Sequence, residues 1–463
     1  MQTATAPCFD PDLIARYDRL GPRYTSYPTA RQFESPFDPK RYLHEVTSGN
    51  EDPIPRDLSL YLHLPFCTSP CFYCGCTRLI TRDPDSLARY LQRLLHEVEL
   101  QGALFDRARR VRQLHLGGGT PTQFNDEQLH ALLQGLRTRF RFGVEVEASI
   151  EVDPRGVTPA RMLALRELGF TRVSLGIQDL DPEVQEAVNR RQDRQHCADI
   201  IAAAQSAGFE SVAVDLIYGL PRQTLEGLGD TLDAMIGAEV GRIAIYGYAH
   251  MPAQFKAQRQ IRAEDLPDAG LRLKLLALAV EKLTVAGYEH VGMDHFALPQ
   301  DTLAKARREG RLQRNFQGYS TLAGLDLVGM GMSAIGRVGC AYVQNAKTLD
   351  AYYAALDAGR LPTVAGLVMS DDDALRADLI NRLMCYGEVR FQEIERRYGV
   401  KFWEYFGAEL SRLKPFIRDG LVTLDPWAIQ VSAKGRFLLR SLAMQFDAYL
   451  PGQDGTPRFS RVI

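Results

Sequence analysis

The chain has 463 residues, a length that favours one large domain accompanied by a smaller one. Its 55 basic and 57 acidic residues leave a net charge of −2, so no bulk attraction to nucleic acid or to an anionic membrane is expected. No run approaches about 18 apolar residues, and MQTATAPCFDPDL lacks a basic start and an apolar core, which predicts no membrane span, no secretory signal and a cytoplasmic location.

Residues 1–56 form the first predicted unit, an N-terminal arm with little hydrophobic periodicity. Its segment GPRYTSYPTA (21–30) carries two tyrosines and two prolines, an unusual composition for a flexible linker, so we expect it to be ordered. Two interpretations are open at this point: a surface extension packed on the core, or part of a lid over an active site.

Residues 57–300 alternate between short apolar runs and helical stretches. Six runs are typical of strands that end at polar or glycine-rich corners: LSLYLHL (58–64), VRQLHLGG (111–118), EASIEVD (147–153), RVSLGIQ (172–178), SVAVDLIYG (211–219) and RIAIYGYA (242–249). This βα repetition predicts a parallel sheet with right-handed crossovers, and six units are too few for an eight-fold barrel. The predicted fold class is therefore α/β, with an incomplete barrel of six βα units.

The ends of these runs predict where a ligand binds. Ligands of parallel βα folds gather at the carboxyl ends of the strands, so the residues there are candidates for one common site. Cys67 follows the first run, and a turn of three glycines ends the second. Polar or small residues complete the predicted rim: Thr120, Glu151, Asp153, Gln178, Asp215, Ala249 and His250.

The last third of the chain divides into two predicted units. Residues 301–364 contain RNFQGYST and LVGMGMSAIG, and we predict glycine-rich substrate or cofactor loops and a connection there. Residues 365–463 predict a small, mostly helical domain with a two-stranded wing, similar to a winged helix. Such folds often bind DNA, but no basic recognition helix stands out, so a cover over the barrel is the favoured interpretation and no nucleic-acid partner is expected.

The densest chemical signal is a group of cysteines after the first strand. Cys67, Cys71 and Cys74 form a C-x3-C-x2-C array, and Cys76 follows. Three thiolates on a short loop can hold three irons of a cubane iron–sulfur cluster and leave the fourth iron open. Structural zinc usually needs a second cysteine pair or histidines, and a ferredoxin needs a fourth ligand for each cluster. A cluster with one open iron is the favoured interpretation.

The array after a strand resembles the signature of the radical S-adenosylmethionine (SAM) enzymes. The longer stretch YLHLPFCTSPCFYCGC, with PRYTSYPTA before it and RNFQGYST after it, is similar to the branch of that family that acts on coproporphyrinogen III in haem biosynthesis. The resemblance runs from residue 21 to the terminal FSRVI. It implies a three-quarter (β/α)6 barrel, a [4Fe–4S] cluster and two SAM molecules per product.

The implied reaction is the oxidative decarboxylation of two propionates of coproporphyrinogen III to the vinyl groups of protoporphyrinogen IX. Side-chain acids and bases cannot remove hydrogen from an unactivated CH2, so a radical cofactor must do so. In this family SAM is cleaved to methionine and a 5′-deoxyadenosyl radical, and carbon dioxide leaves the substrate. The resemblance also implies a reducing electron donor of the flavodoxin or ferredoxin type, and we expect a monomer.

The resemblance assigns roles to individual residues. Cys67, Cys71 and Cys74 are implied as the ligands of the cluster. The residues implied for binding the two SAM molecules are Tyr61, Tyr73, Gly118, Gly119, Thr120, Glu151, Gln178, Arg190, Asp215, Ala249 and Ile335. The residues implied for catalysis are Tyr61, Cys76, Phe316 and Gln317.

Four further side chains each have two open interpretations. His63 shares the barrel-facing side of its strand with Tyr61, but a core histidine satisfied by a hydrogen bond is equally expected. Arg190 can pair with a carboxylate or lie solvated on a helix. Arg23 and Arg314 are candidates for binding the substrate's carboxylates, or they are surface residues.

Two rival functions are weighed against the enzyme. The haem chaperones of the same superfamily have the cluster cysteines but bind haem without turnover. They typically lack the PRYTSYPTA arm and the fourth cysteine, both of which are present here. A zinc protein with a winged-helix nucleic-acid module is the more distant rival.

Overall fold

The computed structural model describes residues 8–450 and residue 461. The strands within this part of the chain are β1 (Leu58–Leu64), β2 (Phe66–Cys67), β3 (Leu79–Ile80), β4 (Arg110–Gly118), β5 (Arg141–Val152), β6 (Arg172–Gln178), β7 (Ser211–Tyr218), β8 (Arg242–Gly247), β9 (Glu289–Gly292), β10 (His295–Ala297), β11 (Gln313–Asn315), β12 (Gly318–Ser320), β13 (Asp326–Met330), β14 (Ile335–Val338), β15 (Ala341–Asn345), β16 (Thr363–Val368), β17 (Glu388–Arg390), β18 (Val422–Leu424) and β19 (Ala428–Val431).

The α-helices connect and cover these strands. They are α1 (Pro11–Tyr17), α2 (Pro39–Glu51), α3 (Pro84–Gly102), α4 (Asp126–Arg139), α5 (Pro159–Glu167), α6 (Pro182–Ala187), α7 (Arg194–Ser206), α8 (Leu225–Gly237), α9 (Ala269–Val285), α10 (Thr302–Arg308), α11 (Leu349–Asp357), α12 (Asp371–Tyr386), α13 (Phe391–Tyr398), α14 (Phe402–Tyr405), α15 (Gly407–Arg412), α16 (Lys414–Arg418) and α17 (Leu439–Ala443). In the described part of the chain, no helix has the length and apolar composition needed to cross a membrane.

One sheet of twelve strands organises the molecule, in the order β16-β15-β14-β13-β1-β4-β5-β6-β7-β8-β10-β9. The six predicted strands, β1, β4, β5, β6, β7 and β8, lie side by side and pair in parallel. This arrangement confirms the α/β prediction of six βα units. The connecting helices begin at residues such as Asp83, Asn125 and Thr224, whose side chains accept hydrogen bonds from the first backbone N–H groups.

Strand β1 separates the core from the barrel interior by simple alternation. Leu58, Leu60, Leu62 and Leu64 are completely buried in the large hydrophobic core. Because successive side chains of a strand point to opposite faces, Tyr61 and His63 lie on the other side, towards the interior. The cysteine loop begins just after β1, so it lies at the carboxyl end of this strand, where the predicted site residues gather.

The sheet extends beyond the six predicted units at both ends. Strand β13 pairs in parallel with β1, and β14, β15 and β16 follow in antiparallel order. Residues 301–364 thus differ from the expected glycine-rich loops. A Cβ atom on Gly329 would lie 2.5 Å from the carbonyl oxygen of Ile335, and one on Gly366 would lie 2.5 Å from that of Tyr342. The glycines here permit close approach of neighbouring backbones within a sheet.

The C-terminal domain and the N-terminal arm pack on each other. The predicted wing has three strands, β17-β19-β18, because β17 at the end of α12 pairs with β19. Tyr24 and Tyr27 of the arm are buried in the same hydrophobic cluster as the C-terminal helices. The Tyr24 hydroxyl donates to Asp447 at 2.9 Å, and Arg440 Nε donates to the carbonyl of Pro22 at 3.0 Å. The arm is therefore ordered, and it belongs to the same hydrophobic core as the C-terminal helices.

Candidate active site

The cysteine loop is held in place by contacts from outside its own motif. Arg78 donates one hydrogen bond to the carbonyl of Cys71 at 3.0 Å and another to that of Cys74 at 3.2 Å. Asn189 Nδ2 donates to the carbonyl of Pro70 at 2.7 Å, which ties the loop to the segment after α6. The Cys71 carbonyl also accepts from the backbone N–H of Cys74 at 3.3 Å, and the two side chains add further donors that stabilise the loop. Arg78 lies close to the motif but was not selected from the sequence.

A cavity of about 240 Å³ lies over the loop, at the carboxyl ends of the parallel strands. It brings together most of the residues predicted from the sequence. Its walls include Cys67, Cys71, Tyr73, Cys74, Cys76, Gly118, Gly119, Thr120, Glu151, Gln178, Arg190 and Asp215.

Each of the three array sulfurs receives a hydrogen-bond donor. The Thr120 hydroxyl lies 3.5 Å from Cys67 Sγ, Arg190 Nη1 lies 3.4 Å from Cys71 Sγ, and the backbone N–H of Cys76 lies 3.4 Å from Cys74 Sγ. Donors of this kind favour thiolates, the form that ligates iron. The residues present therefore fit a [4Fe–4S] cluster with three cysteine ligands.

The arrangement differs from that of a single-metal site. Within residues 8–450 and 461, no three His, Cys, Asp or Glu side chains converge so as to hold one metal ion. In a cubane cluster each cysteine holds a different iron, so the three thiols need not converge on a point.

Cys76 differs from the three array cysteines in its surroundings. It is exposed, whereas Cys71 is buried and Cys67 and Cys74 are half-buried. Its thiol hydrogen bond is the largest of the causes that lower the pKa of Cys74 to about 6, against the opposing effect of burial. The protein thus provides Cys76 as a donor to a neighbouring sulfur.

The glycine turn after β4 lies against the cysteine loop. Gly119 N donates to the carbonyl of Leu64 at 2.9 Å, and Thr120 N donates to that of Phe66 at 2.7 Å. A Cβ atom on Gly119 would lie 2.6 Å from the Phe66 carbonyl oxygen, and one on Gly118 would lie 2.7 Å from the His63 ring. Gly118 also has a φ of +118°, which side-chain-bearing residues rarely adopt. The glycines are required by the protein's own backbone, in addition to any cofactor.

A chain of hydrogen bonds runs behind this turn. The Tyr61 hydroxyl lies 2.9 Å from His63 Nδ1, and His63 Nε2 lies 2.9 Å from the carbonyl of Thr77. Since a carbonyl only accepts, Nε2 carries the proton and Nδ1 accepts from Tyr61. His63 is thus a satisfied core histidine that orients Tyr61, and this decides between its two interpretations.

Glu151 lies at the centre of the cavity wall. Its carboxylate accepts from the Gly118 N–H at 3.0 Å and lies 3.3 Å from His115 Nε2. Burial opposes ionisation, but these two partners outweigh it and lower the pKa of Glu151. The His115 ring stacks on Tyr61, with centroids 5.8 Å apart. The carboxylate is therefore held ionised and in place to bind a cationic amine or a hydroxyl.

Asp215 and Arg190 form the far side of the cavity. Burial first, and then repulsion from Glu151, raises the pKa of Asp215 to about 7, and Ser174 donates to it at 3.0 Å. Arg190 makes two contacts of 3.2 Å to Asp153 and is 6% exposed. It pairs with a carboxylate of the protein itself, so the interpretation as a solvated arginine is wrong.

Arg155 is a second guanidinium at the cluster loop that sequence reasoning missed. It pairs with Asp153, and its Nη2 lies 3.6 Å from Cys71 Sγ. An arginine directly after Asp-Pro carries no local signal for such a contact. Only the fold brings it beside a cysteine more than eighty positions away.

Five predicted residues lie outside this cavity, and one of them is Tyr61, whose contacts are given above. Gln317 lines a smaller interior cavity of about 130 Å³ that shares Glu151, Ser174 and Asp215 with the first. Phe316 packs edge-on against Tyr342, with centroids 5.9 Å apart. Two others lie at strand ends: Ile335 at the start of β14, and Ala249 after β8. Gln258 Nε2 donates to the carbonyls of both Ala249 and Tyr73, so Ala249 lies near the cysteine loop.

The two arginines proposed for substrate binding have different surroundings. Arg314 is 9% exposed, donates to the carbonyl of Arg23 at 3.2 Å and lies over the Tyr319 ring, so it is not a surface residue. Arg23 is exposed, and it lines a cavity of about 540 Å³ together with Ala249.

Comparison with known proteins agrees with this geometry. Residues 61–235 match the Radical SAM superfamily, and residues 369–438 match the HemN C-terminal domain. An oxygen-independent coproporphyrinogen III oxidase of Pseudomonas aeruginosa is 45% identical over 98% of this chain and 99% of its own length. Its counterpart in Escherichia coli K12 is 43% identical over 98% of both chains.

A solved structure extends the likeness to three dimensions. Coproporphyrinogen III oxidase (HemN) from Escherichia coli, described as a radical SAM enzyme, superposes with a TM-score of 0.91 at 42% identity, over 96% of this chain and 100% of that one. The parallel six-stranded unit with its cysteine loop defines a radical SAM enzyme. More narrowly, the chain belongs to the family of the oxygen-independent coproporphyrinogen III oxidases.

Proposed function

We propose that this chain converts two propionates of coproporphyrinogen III to the vinyl groups of protoporphyrinogen IX by radical-mediated oxidative decarboxylation. One observation carries the proposal: three donor-supported cysteine sulfurs face the glycine turn and Glu151 across one cavity. The whole-length identity to oxidases favours this enzyme over a haem chaperone.

The first task of the residues is to hold the cofactors. When bound, the [4Fe–4S] cluster and SAM supply the one-electron chemistry that removes hydrogen from an unactivated CH2. Cys67, Cys71 and Cys74 would hold three irons. Glu151, kept ionised by His115 and the Gly118 N–H, is suited to bind the amine or ribose of SAM.

The remaining predicted residues would surround the same cofactors. Tyr61 is oriented by His63 towards the interior, and Tyr73 lines the cluster cavity. Asp215, with a pKa of about 7, can hold or release a proton near neutrality. The other residues proposed for cofactor binding are Gly118, Gly119, Thr120, Gln178, Arg190, Ala249 and Ile335.

The surroundings of the Gln317 side chain support a role for this residue in the reaction itself. Its side-chain N–H2 is buried, lines the interior cavity and has no hydrogen-bond partner among the described residues. A buried donor without a partner costs free energy unless a ligand satisfies it. We assign this amide to a substrate or cofactor oxygen, with Phe316 beside it and Cys76 at the cluster.

The electron donor and the location of the enzyme are also part of the proposal, and they are argued from chemistry. An external donor of the flavodoxin or ferredoxin type would reduce the cluster. The eight cysteines are all free thiols, which suits a reducing compartment and supports a cytoplasmic location. The monomeric state stays a prediction, as do the unit boundaries 1–56, 57–300, 301–364 and 365–463.

The test is an anaerobic reconstitution with iron and sulfide. Reductant and SAM are added with and without coproporphyrinogen III, and 5′-deoxyadenosine and protoporphyrin (after oxidation) are measured. We expect both products only with substrate, none in Cys67→Ser, and unchanged yields in the matched control Cys8→Ser, an exposed cysteine outside the loop. Tight haem binding without turnover would support the chaperone, and a protein without iron would overturn both.

A further inference from the structure

We propose that the cavity of about 540 Å³ binds the tetrapyrrole macrocycle, with Asp294 accepting hydrogen bonds from its central pyrrole N–H groups and with Arg23 and Arg272 pairing with peripheral carboxylates. The inference rests on the proposed function, because it names the residues that recognise the substrate. Its volume falls within the range of about 300–1,000 Å³ that is usual for small-molecule sites.

The cavity lies where three parts of the chain meet. Its walls come from the arm (Arg23), the ends of β7 and β8 (Tyr218, Gly247), α9 (Arg272), the β9–β10 turn (Asp294) and α17. Strands β7 and β8 run parallel to β1, so their carboxyl ends share the rim that carries the cysteine loop. Of the residues proposed for cofactor binding, Ala249 alone lines this cavity, so most of its surface is free for another ligand.

Asp294 is a fixed acceptor without a partner. It forms, with Met293, the two-residue turn between β9 and β10, and its carbonyl accepts from Ile245 N at 2.8 Å. Its carboxylate has no hydrogen bond or ion pair with any residue of 8–450 or with 461. A carboxylate held by its backbone but left without a donor is suited to a ligand that brings donors.

Two guanidinium groups complete the recognition pattern. The Arg23 side chain has no hydrogen-bond or ion-pair partner within the described residues. Arg272 uses one N–H for the carbonyl of Tyr248 at 2.8 Å and keeps its other donors for the cavity. Arg440 is different, because its guanidinium donates to the carbonyls of Gly21 and Pro22 in the arm and to that of Arg461, and so holds the wall together.

The other titratable side chains of the cavity do not neutralise the charges of Asp294, Arg23 and Arg272. Asp18 is paired with Arg461 at 3.0 Å, so its charge is compensated. His250 lies 2.9 Å from the Tyr248 hydroxyl, and burial lowers its pKa, so it is neutral near pH 7. Within the described residues, the charged side chains that line the cavity without an ion-pair partner include one anion, Asp294, and two cations, Arg23 and Arg272. Asp294 also interacts electrostatically with Arg440, whose pKa it acts to raise against the effect of burial.

A porphyrinogen matches this pattern through its own chemistry. It carries pyrrole N–H donors at its centre and propionate carboxylates at its edge. Arginine is the usual partner of a carboxylate, and charge-assisted hydrogen bonds are stronger than neutral ones. Haem has iron in place of the central N–H groups, so Asp294 would discriminate between the substrate and haem.

The test measures equilibrium binding without SAM, so that no turnover occurs. Fluorescent coproporphyrin III is bound under anaerobic conditions and displaced by coproporphyrinogen III. The porphyrin has only two central N–H groups, whereas the porphyrinogen has four. We expect Asp294→Asn to weaken coproporphyrinogen III by about tenfold and coproporphyrin III by about threefold or less.

The arginine variants are expected to behave differently, because both ligands carry the same carboxylates. Arg23→Gln and Arg272→Gln should each weaken both ligands by about tenfold. Arg107→Gln, an exposed arginine before β4 at the opposite rim, is the matched control and should change neither. Thermal unfolding and cluster absorbance of each variant establish that the fold is retained.

Equal effects of Asp294→Asn on the two ligands, or unchanged affinities in both arginine variants, would overturn the inference. The same assay separates this failure from failure of the proposed function. If the wild-type protein forms protoporphyrinogen IX but these substitutions do not alter binding, only the site is wrong. If it binds coproporphyrinogen III as expected but never forms product, the proposed function is wrong and the site stands.

Discussion

Replacing Gly118 by alanine tests whether the backbone conformation and the neighbouring His63 ring require a glycine at this position of the turn. The residue has a φ of +118°, and a conformation of this kind costs a side-chain-bearing residue about 1–3 kcal/mol. The new methyl group would lie 2.7 Å from two atoms of the His63 ring, closer than real Cβ contacts allow. That ring cannot move freely, because Tyr61 and Thr77 hold both of its nitrogens. Overpacking of this kind adds about 1–3 kcal/mol.

The expected loss is therefore about 2–6 kcal/mol, a large part of the 5–15 kcal/mol that is typical of folded domains. Urea unfolding measures it, and Gly156→Ala is the matched control, since a Cβ atom there would meet nothing within 4 Å. We expect the control to change stability by less than about 1 kcal/mol. Equal losses in the two variants would show that Gly118 is not constrained by His63, and the steric argument would fail.

Three further predictions concern the cysteines, Arg78 and Glu97, a buried residue of α3 whose carboxyl group accepts from Gly331 N and Asn345 Nδ2. Cys67→Ser, Cys71→Ser or Cys74→Ser should abolish cluster assembly, because two ligands do not hold a stable cubane. Cys76→Ser should keep iron and sulfide but impair turnover. Metal analysis and visible absorbance check both expectations, and an apo-like spectrum of Cys76→Ser would contradict its assignment as a non-ligand. Arg78→Met should remove the guanidinium donor from two loop carbonyls and shorten the lifetime of the assembled cluster, measured as bleaching under a chelator. An unchanged lifetime would show that Arg78 does not hold the loop. Burial raises the pKa of Glu97 from 4.5 to about 7, so the folded state holds this proton more tightly than the unfolded state does, and stability should fall by about 3 kcal/mol as the pH rises through that window. Glu97→Gln should flatten this dependence in urea unfolding, and a slope unchanged from wild type would assign it to another group.

The sequence by itself determined the features that depend on local patterns. Short apolar runs alternating with helical stretches predicted all six parallel strands, because the side of each strand that faces the covering helices must be apolar. The C-x3-C-x2-C array predicted the cluster loop, because its three ligands lie within one short stretch of chain. The strand-end rule then placed Glu151, Gln178 and Asp215 beside the cysteines, and the structure gathers them in one cavity.

Contacts between distant parts of the chain were decided by the tertiary structure alone. Arg190 resembled a solvated helix arginine, yet it is buried against Asp153 and the sulfur of Cys71. The glycine-rich segment 301–364 resembled loops, yet its glycines let β13 to β16 extend the sheet. Hydrogen bonds, ion pairs and close backbone contacts depend on which distant segments of the chain meet in the fold, and a local sequence pattern does not show which segments these are. For the same reason, the arm, α9 and α17 enclose the cavity of about 540 Å³ together, although they lie far apart in the sequence.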